Sequence, residues 1–172
     1  KVASAGSIIS TLVDIVSKNG TLLLNLSPKA DGTIPAEQKK TLLEVGKWLS
    51  INGEAIYDTH NWIKFGEEST SPKLRFTVKG DALFAIIVGN WPGTSILIPS
   101  LGMQKTTGEK IVSVTMLGNK GQLHFTQEQN GLTVDLPATP PCENAYTLKI
   151  TGLKMNAPAW TPSGNPIVTE TK

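Results

Sequence analysis

The sequence predicts a mixed fold: a terminal α/β piece of a (β/α)₈-like barrel followed by an antiparallel β-sandwich. Three observations carry this expectation. Apolar residues recur at three and four on either side of a short, wholly apolar run in the first 60 positions. Beyond Trp62 the period drops to two, and turn residues then punctuate the chain at spacings of about 8 to 15 residues.

Taken in order, Ile8, Ile9, Leu12, Val13 and Val16 form one stripe of a helix from about Ser7 to Lys18, and Asn19-Gly20 supplies a left-handed stop. Leu22-Leu23-Leu24-Asn25-Leu26 is too short for a helix and is bounded by Gly20 and Pro28, so it reads as a strand buried on both faces, as in a parallel sheet. Ser27 to Thr33 is turn chemistry. Pro35 then opens a second helix that runs to about Asn52, where Gly53 ends it. A doubly apolar strand with no parallel partner in the chain looks like the last turn of a barrel whose earlier turns lie elsewhere, and the first 60 residues are expected to depend on them.

Seven strands follow. Leu74, Phe76 and Val78 alternate with Arg75, Thr77 and Lys79, and the others span 82–88, 95–98, 110–116, 122–126, 132–136 and 145–151. The expected inward set is Phe76, Val78, Phe84, Ile86, Val114, Val134 and Leu148. The domain limits are 1–62 for the barrel piece, 63–154 for the sandwich and 155–172 for an extended, Pro-containing tail.

Composition narrows the function classes. A hydrophobic share of 39% among 172 residues is that of a globular chain, and a net charge of +2 lays no basic footprint for nucleic acid. No apolar run approaches the roughly 20 residues of a membrane helix. The first twenty residues are broken by Ser10, Thr11, Asp14 and Ser17 and do not form a secretory h-region. A single cysteine, Cys142, can neither close an internal disulfide nor build a zinc site, and no base or cation near it in sequence marks an activated thiolate. No cofactor and no metal is expected.

One family matches this order of residues. LVDIVSKNGTLLLNLSPKADGTIP followed by LLEVGKWLSINGEAIY, from Leu12 to Tyr57, resembles the end of the catalytic domain of glycoside hydrolase family 29, the α-L-fucosidases. VTMLGNKGQLHFTQEQNGLTVDLPATPP and AYTLKITGLK are similar to the C-terminal β-sandwich of those enzymes, so that the likeness runs from about Ile8 to Lys154. The resemblance implies hydrolysis of terminal α-L-fucose from glycoconjugates with retention, through an Asp nucleophile and a carboxylic general acid. It also implies that both act from barrel strands upstream of this chain, so no catalytic residue is assigned here. The partners it implies are the remainder of the catalytic barrel and a fucosylated glycan, in a secreted, periplasmic or lysosomal setting.

Asn25 is the polar side chain within the apolar run, near the end that would face the barrel mouth. Two readings stay open for it: a contact with the sugar pocket, or a backbone hydrogen bond closing the barrel top, the commoner fate of a buried amide. Trp91, in the turn Asn90-Trp91-Pro92-Gly93, is the candidate for stacking on a sugar. Trp48 and Trp62 read as packing residues and Trp160 as a tail anchor. Glu54 and Tyr57 are expected to be buried and paired, locking the barrel to the sandwich, and Lys29 and Asp31 to sit on a βα loop. His60 and His124 stand at no ligand or triad spacing. The alternative functions are a non-catalytic carbohydrate-binding sandwich module, which wants several exposed aromatics on one face, and an interaction fragment without sugar chemistry.

Overall fold

A computed structural model describes residues 2–67 and 72–154; the expected tail, with Trp160, lies outside them. Two helices, a five-stranded sheet and a three-stranded sheet are stacked in that order as three layers. Every strand pairing is antiparallel.

Helix α1 spans Ala5–Ser17, opened by the Ser4 hydroxyl accepting from the Ser7 amide at 3.2 Å. It closes as the sequence suggests, with the Gly20 amide on the Ile15 carbonyl and the Asn19 amide on Val16, both at 2.9 Å. Asn19, at φ 62°, takes the left-handed conformation. Helix α2 spans Ala36–Asn52 and ends at Gly53, as expected. Gly53 has a right-handed φ of −59°, and the chain tightens into a 3-10 turn over Gly53–Ala55. A Cβ there would stand 2.9 Å from the exposed Tyr57 ring, which would have to shift to admit it.

The large sheet has the order β1-β2-β3-β8-β5, formed by His60–Glu67, Lys73–Lys79, Ala82–Val88, Ala145–Thr151 and Ser113–Met116. The small sheet, β4-β7-β6, is formed by Ser95–Ile98, Leu132–Asp135 and Phe125–Gln127. Strand β1 is an eighth strand that the alternation missed. Trp62 and Phe65 put apolar groups on both of its faces, and a bulge between Asn61 and Gly66 breaks its register with β2. β5 and β6 are shorter than expected, and Gln122 keeps only an isolated bridge to Thr115.

The core between the sheets takes Phe76, Val78, Val114, Val134 and Leu148, as the alternation requires. Phe84 and Ile86 do not join them. They lie on the opposite face of β3, paired across the ladders with Thr77 and Lys149 and with Arg75 and Thr147, and they are buried under the helices beside Ile9, Val13 and Trp48. Leu83, Ala85 and Ile87 fill the inter-sheet side in their place. The physical reason is that β3 has no wet face: every residue from Ala82 to Ile87 is buried.

The run from Leu22 to Leu26 corrects the sequence reading in the other direction. It forms no strand ladder and is not doubly buried; Leu23 is 82% exposed. An isolated extended segment acquires a ladder only from neighbouring strands, and the described residues offer it none.

Truncating Phe84 to Ala should therefore cost about 3–5 kcal/mol, because it opens a cavity under the helices. Leu97→Ala, at a site 45% exposed in β4, should cost far less. Urea denaturation of both variants measures this, and equal losses would disprove the three-layer assignment.

Candidate functional site

The stretch from Gly20 to Ile34 joins the two helices and carries the candidate residues. Its apolar side chains split into two sets. Leu22 packs against the helical core, and Leu24 and Leu26 border a cleft of about 190 Å³ together with Ile8 and Leu42. Leu23 turns out to solvent. Asn25, two residues on, is exposed at the cleft rim.

Beyond Pro28 the chain is folded on itself by Asp31. Its carboxylate accepts from the Thr33 hydroxyl at 2.7 Å and the Thr33 amide at 2.9 Å, while the Lys29 amide reaches the Thr33 carbonyl at 2.8 Å. The hydroxyl first, and the amide after it, hold the Asp31 carboxyl below the usual carboxylate range. Asp31 is thus committed to shaping the loop. Gln38, in the first turn of α2, anchors the other side, exchanging a donor and an acceptor with the backbone of Ser27 at 3.1 and 3.2 Å.

The helices that carry this stretch are fastened to the sheet by polar groups around the apolar centre of its outer face. Arg75 on β2 donates to Asp14 of α1 at 2.7 Å, and Arg75 and Lys18 both lie over the Phe65 ring. Thr77 donates to the Ala55 carbonyl at 2.8 Å, the Trp48 indole to the Ala145 carbonyl at 2.8 Å, and Lys149 reaches Glu54 at 2.6 Å. Glu54 is therefore paired as expected but partly exposed rather than buried. The Tyr57 side chain is 56% exposed, and the residue contributes its carbonyl, which accepts from Lys79.

The remaining candidates serve structure. Trp91 is half-buried and meets Tyr146 edge-to-face with ring centroids 4.7 Å apart; Trp62 meets Phe76 in the same way at 5.1 Å. Among the described tryptophans Trp48 is buried and Trp62 and Trp91 are half-buried; the exposed aromatic side chains are Tyr57 and Phe65. His60 faces the Asn61 carbonyl, and His124 pairs with Asp135 on the surface. Burial pushes the Cys142 thiol up in pKa, and its Sγ donates to Ala145. Among the described residues no group of three His, Cys, Asp or Glu could hold a metal ion, and no helix is long and apolar enough to cross a membrane. The Asp14 and Asp31 carboxyls are both held below the usual carboxylate range, opposite to what a general acid requires.

Sequence reasoning missed Gln38 and the Arg75–Asp14 pair. Gln38 leaves no signature, because a glutamine in the first helical turn is ordinary. Arg75 gave one that went unused: an arginine alternating with buried apolar residues on a central strand wants an anion on the layer above it.

A family model for α-L-fucosidase matches residues 1–54, and one for the α-L-fucosidase C-terminal domain matches residues 67–151. The tissue α-L-fucosidase of Homo sapiens is 40% identical over 158 residues, covering 89% of this chain and 33% of the relative. The plasma α-L-fucosidase of Homo sapiens is 34% identical over 152 residues, covering 85% and 32%. A crystal structure of Thermotoga maritima α-fucosidase aligns at a TM-score of 0.75 with 33% identity, over 87% of this chain and 35% of that one; the same enzyme in complex with fucose aligns at 0.76. The chain spans about a third of the length of the curated relatives it matches.

The Asp14 anchor yields a pH dependence. The Lys18 hydrogen bond, reinforced by Arg75 and opposed by partial burial, lowers the folded pKa of Asp14 below its ordinary 3.8. The stability it contributes is then fully present above the unfolded pKa and disappears as pH falls through the folded one. Asp14→Asn should be less stable than the parent at pH 7, with the gap closing below about pH 4. Urea midpoints measured across that range check it; a gap that does not change with pH would rule out an ionised anchor.

Proposed function

The chain belongs to the α-L-fucosidase family, and on that premise we propose that it is the terminal part of a retaining enzyme that hydrolyses terminal α-L-fucose from glycoconjugates. Residues 1–62 complete the catalytic (β/α)₈-like barrel and residues 63–154 brace it. The observation that carries this reading is the open side of the segment from Leu22 to Leu26: an apolar wall whose backbone finds no partner among the described residues and whose Leu23 stands in solvent. Exposed apolar groups beside unpaired backbone call for strands on both edges and side chains in front. The remainder of the barrel supplies both.

Retention requires two carboxyl groups about 5–5.5 Å apart, one attacking the anomeric carbon and the other protonating the departing oxygen, then activating water against the glycosyl intermediate. Several described carboxylates are spent on structure, among them Asp14 on Arg75, Asp31 on its turn, Glu54 on Lys149, Glu67 on the Ser100 amide and Asp135 on His124. On this reading the nucleophile and the general acid act from barrel strands outside this chain, in a protein that is secreted, periplasmic or lysosomal. Asn25, at the end of the completed strand, faces the barrel mouth and hydrogen-bonds the bound sugar. Trp91 serves packing first and offers a sugar only the ring surface that Tyr146 leaves uncovered.

Two measurements test this reading. The purified chain should release no product from an aryl α-L-fucoside, and turnover by it would refute the placing of the nucleophile. In the full-length enzyme Asn25→Ala should lower kcat/KM about tenfold, the worth of one sugar hydrogen bond; an unchanged value would remove Asn25 from the pocket and leave the barrel assignment standing.

A further inference from the structure

Among the described residues, the backbone from Thr21 to Pro28 makes two hydrogen bonds, and one side chain takes both. Gln38 accepts from the Ser27 amide through Oε1 and donates to the Ser27 carbonyl through Nε2. A planar carboxamide used this way meets Ser27 as a residue of an adjacent strand would, with one donor and one acceptor in parallel. Ser27 has a single amide proton, so no other strand can take it while Gln38 does. A ladder on the edge to which Ser27 points therefore stops before it, and Asn25, whose backbone groups face the same edge, is its last rung. On the far side Pro28 holds Ser27 to an extended conformation, and the Asp31–Thr33 turn closes the loop that follows.

We infer that Gln38 is a positioning residue for the sugar-facing end of this strand, fixing the height at which Asn25 enters the pocket. The inference rests on the reading that Asn25 contacts the sugar. Its physical content is that the chain between Asn25 and the turn has one lateral tether, and loss of that tether lets Asn25 drift by a distance that matters to a bound sugar.

The test is a mutant cycle in the full-length enzyme, with an aryl α-L-fucoside as probe and amide exchange at Ser27 as a direct readout of the tether. Gln38→Ala should speed exchange at Ser27, lower kcat/KM about tenfold and move the unfolding midpoint little, Gln38 being half-exposed. In the Asn25→Ala background the same change should have no further effect on kcat/KM. Gln38→Glu keeps the acceptor and loses the donor, so its kcat/KM should fall between the parent and Gln38→Ala. Losses that multiply in the double variant overturn the inference, because Gln38 would then act independently of Asn25. A silent Gln38→Ala beside a damaging Asn25→Ala overturns it while the Asn25 reading survives. If both single variants are silent, the Asn25 reading fails and the inference falls with it.

Discussion

Strand β3 runs between β2 and β8 with apolar side chains on both faces, and neither face can be left in water. Each large side chain on it is worth about 1.5–3 kcal/mol when buried. Phe84 and Ile86 demand a cover on one side, and Leu83 and Ile87 demand another on the other. The small sheet provides the second cover and the two helices the first. That requirement explains why a helical pair and a sandwich share cores instead of meeting as separate bodies, and why the outer face of a β-sandwich sheet is not polar throughout, as it would be beside solvent.

Apolar contact alone would let the helices slide over the sheet. The polar groups around Phe84 and Ile86 remove that freedom, because each has a directional partner on the helical side: Arg75 with Asp14, Thr77 with the Ala55 carbonyl, Lys149 with Glu54, and the Trp48 indole returning a bond to Ala145. The fixed helices in turn fix Gln38 and the end of α1. The position of the linking segment, Asn25 included, is thus set by side chains on the far side of the helices from it.

Much of this was legible in the sequence where a pattern has one meaning. The limits of β3, β4 and β8 follow from alternation and flanking turns, and the stop after α1 from Asn19-Gly20. Two runs show where a pattern has more than one. LLLNL and ALFAIIV are both largely apolar stretches, yet the first packs only Leu22 on the helices and leaves Leu23 in solvent, while the second is buried from Ala82 to Ile87. Composition says that each wants two covers, but only topology says whether the covers are present. Phe84 and Ile86 were placed on the wrong face for the same reason, since a strand apolar on both sides carries no phase. For the candidate site, Asn25 could be picked out as a polar residue in an apolar run, whereas its tether could not, because the hydrogen bonds from Gln38 depend on how a loop returns to a helix.

The placing of β8 has a consequence in time. Among the described residues the strand latest in sequence, β8, is not at the sheet edge but lies between β3 and β5, and it carries the carbonyl that receives the Trp48 indole and the lysine that meets Glu54. On a ribosome, β3 therefore waits with an open edge while roughly 60 more residues emerge, several seconds at about 5–20 residues per second. Throughout that interval the helices have no completed surface to settle on. A premature stop before Ala145 would therefore leave one edge of β3 open and Trp48 and Glu54 without their partners on β8.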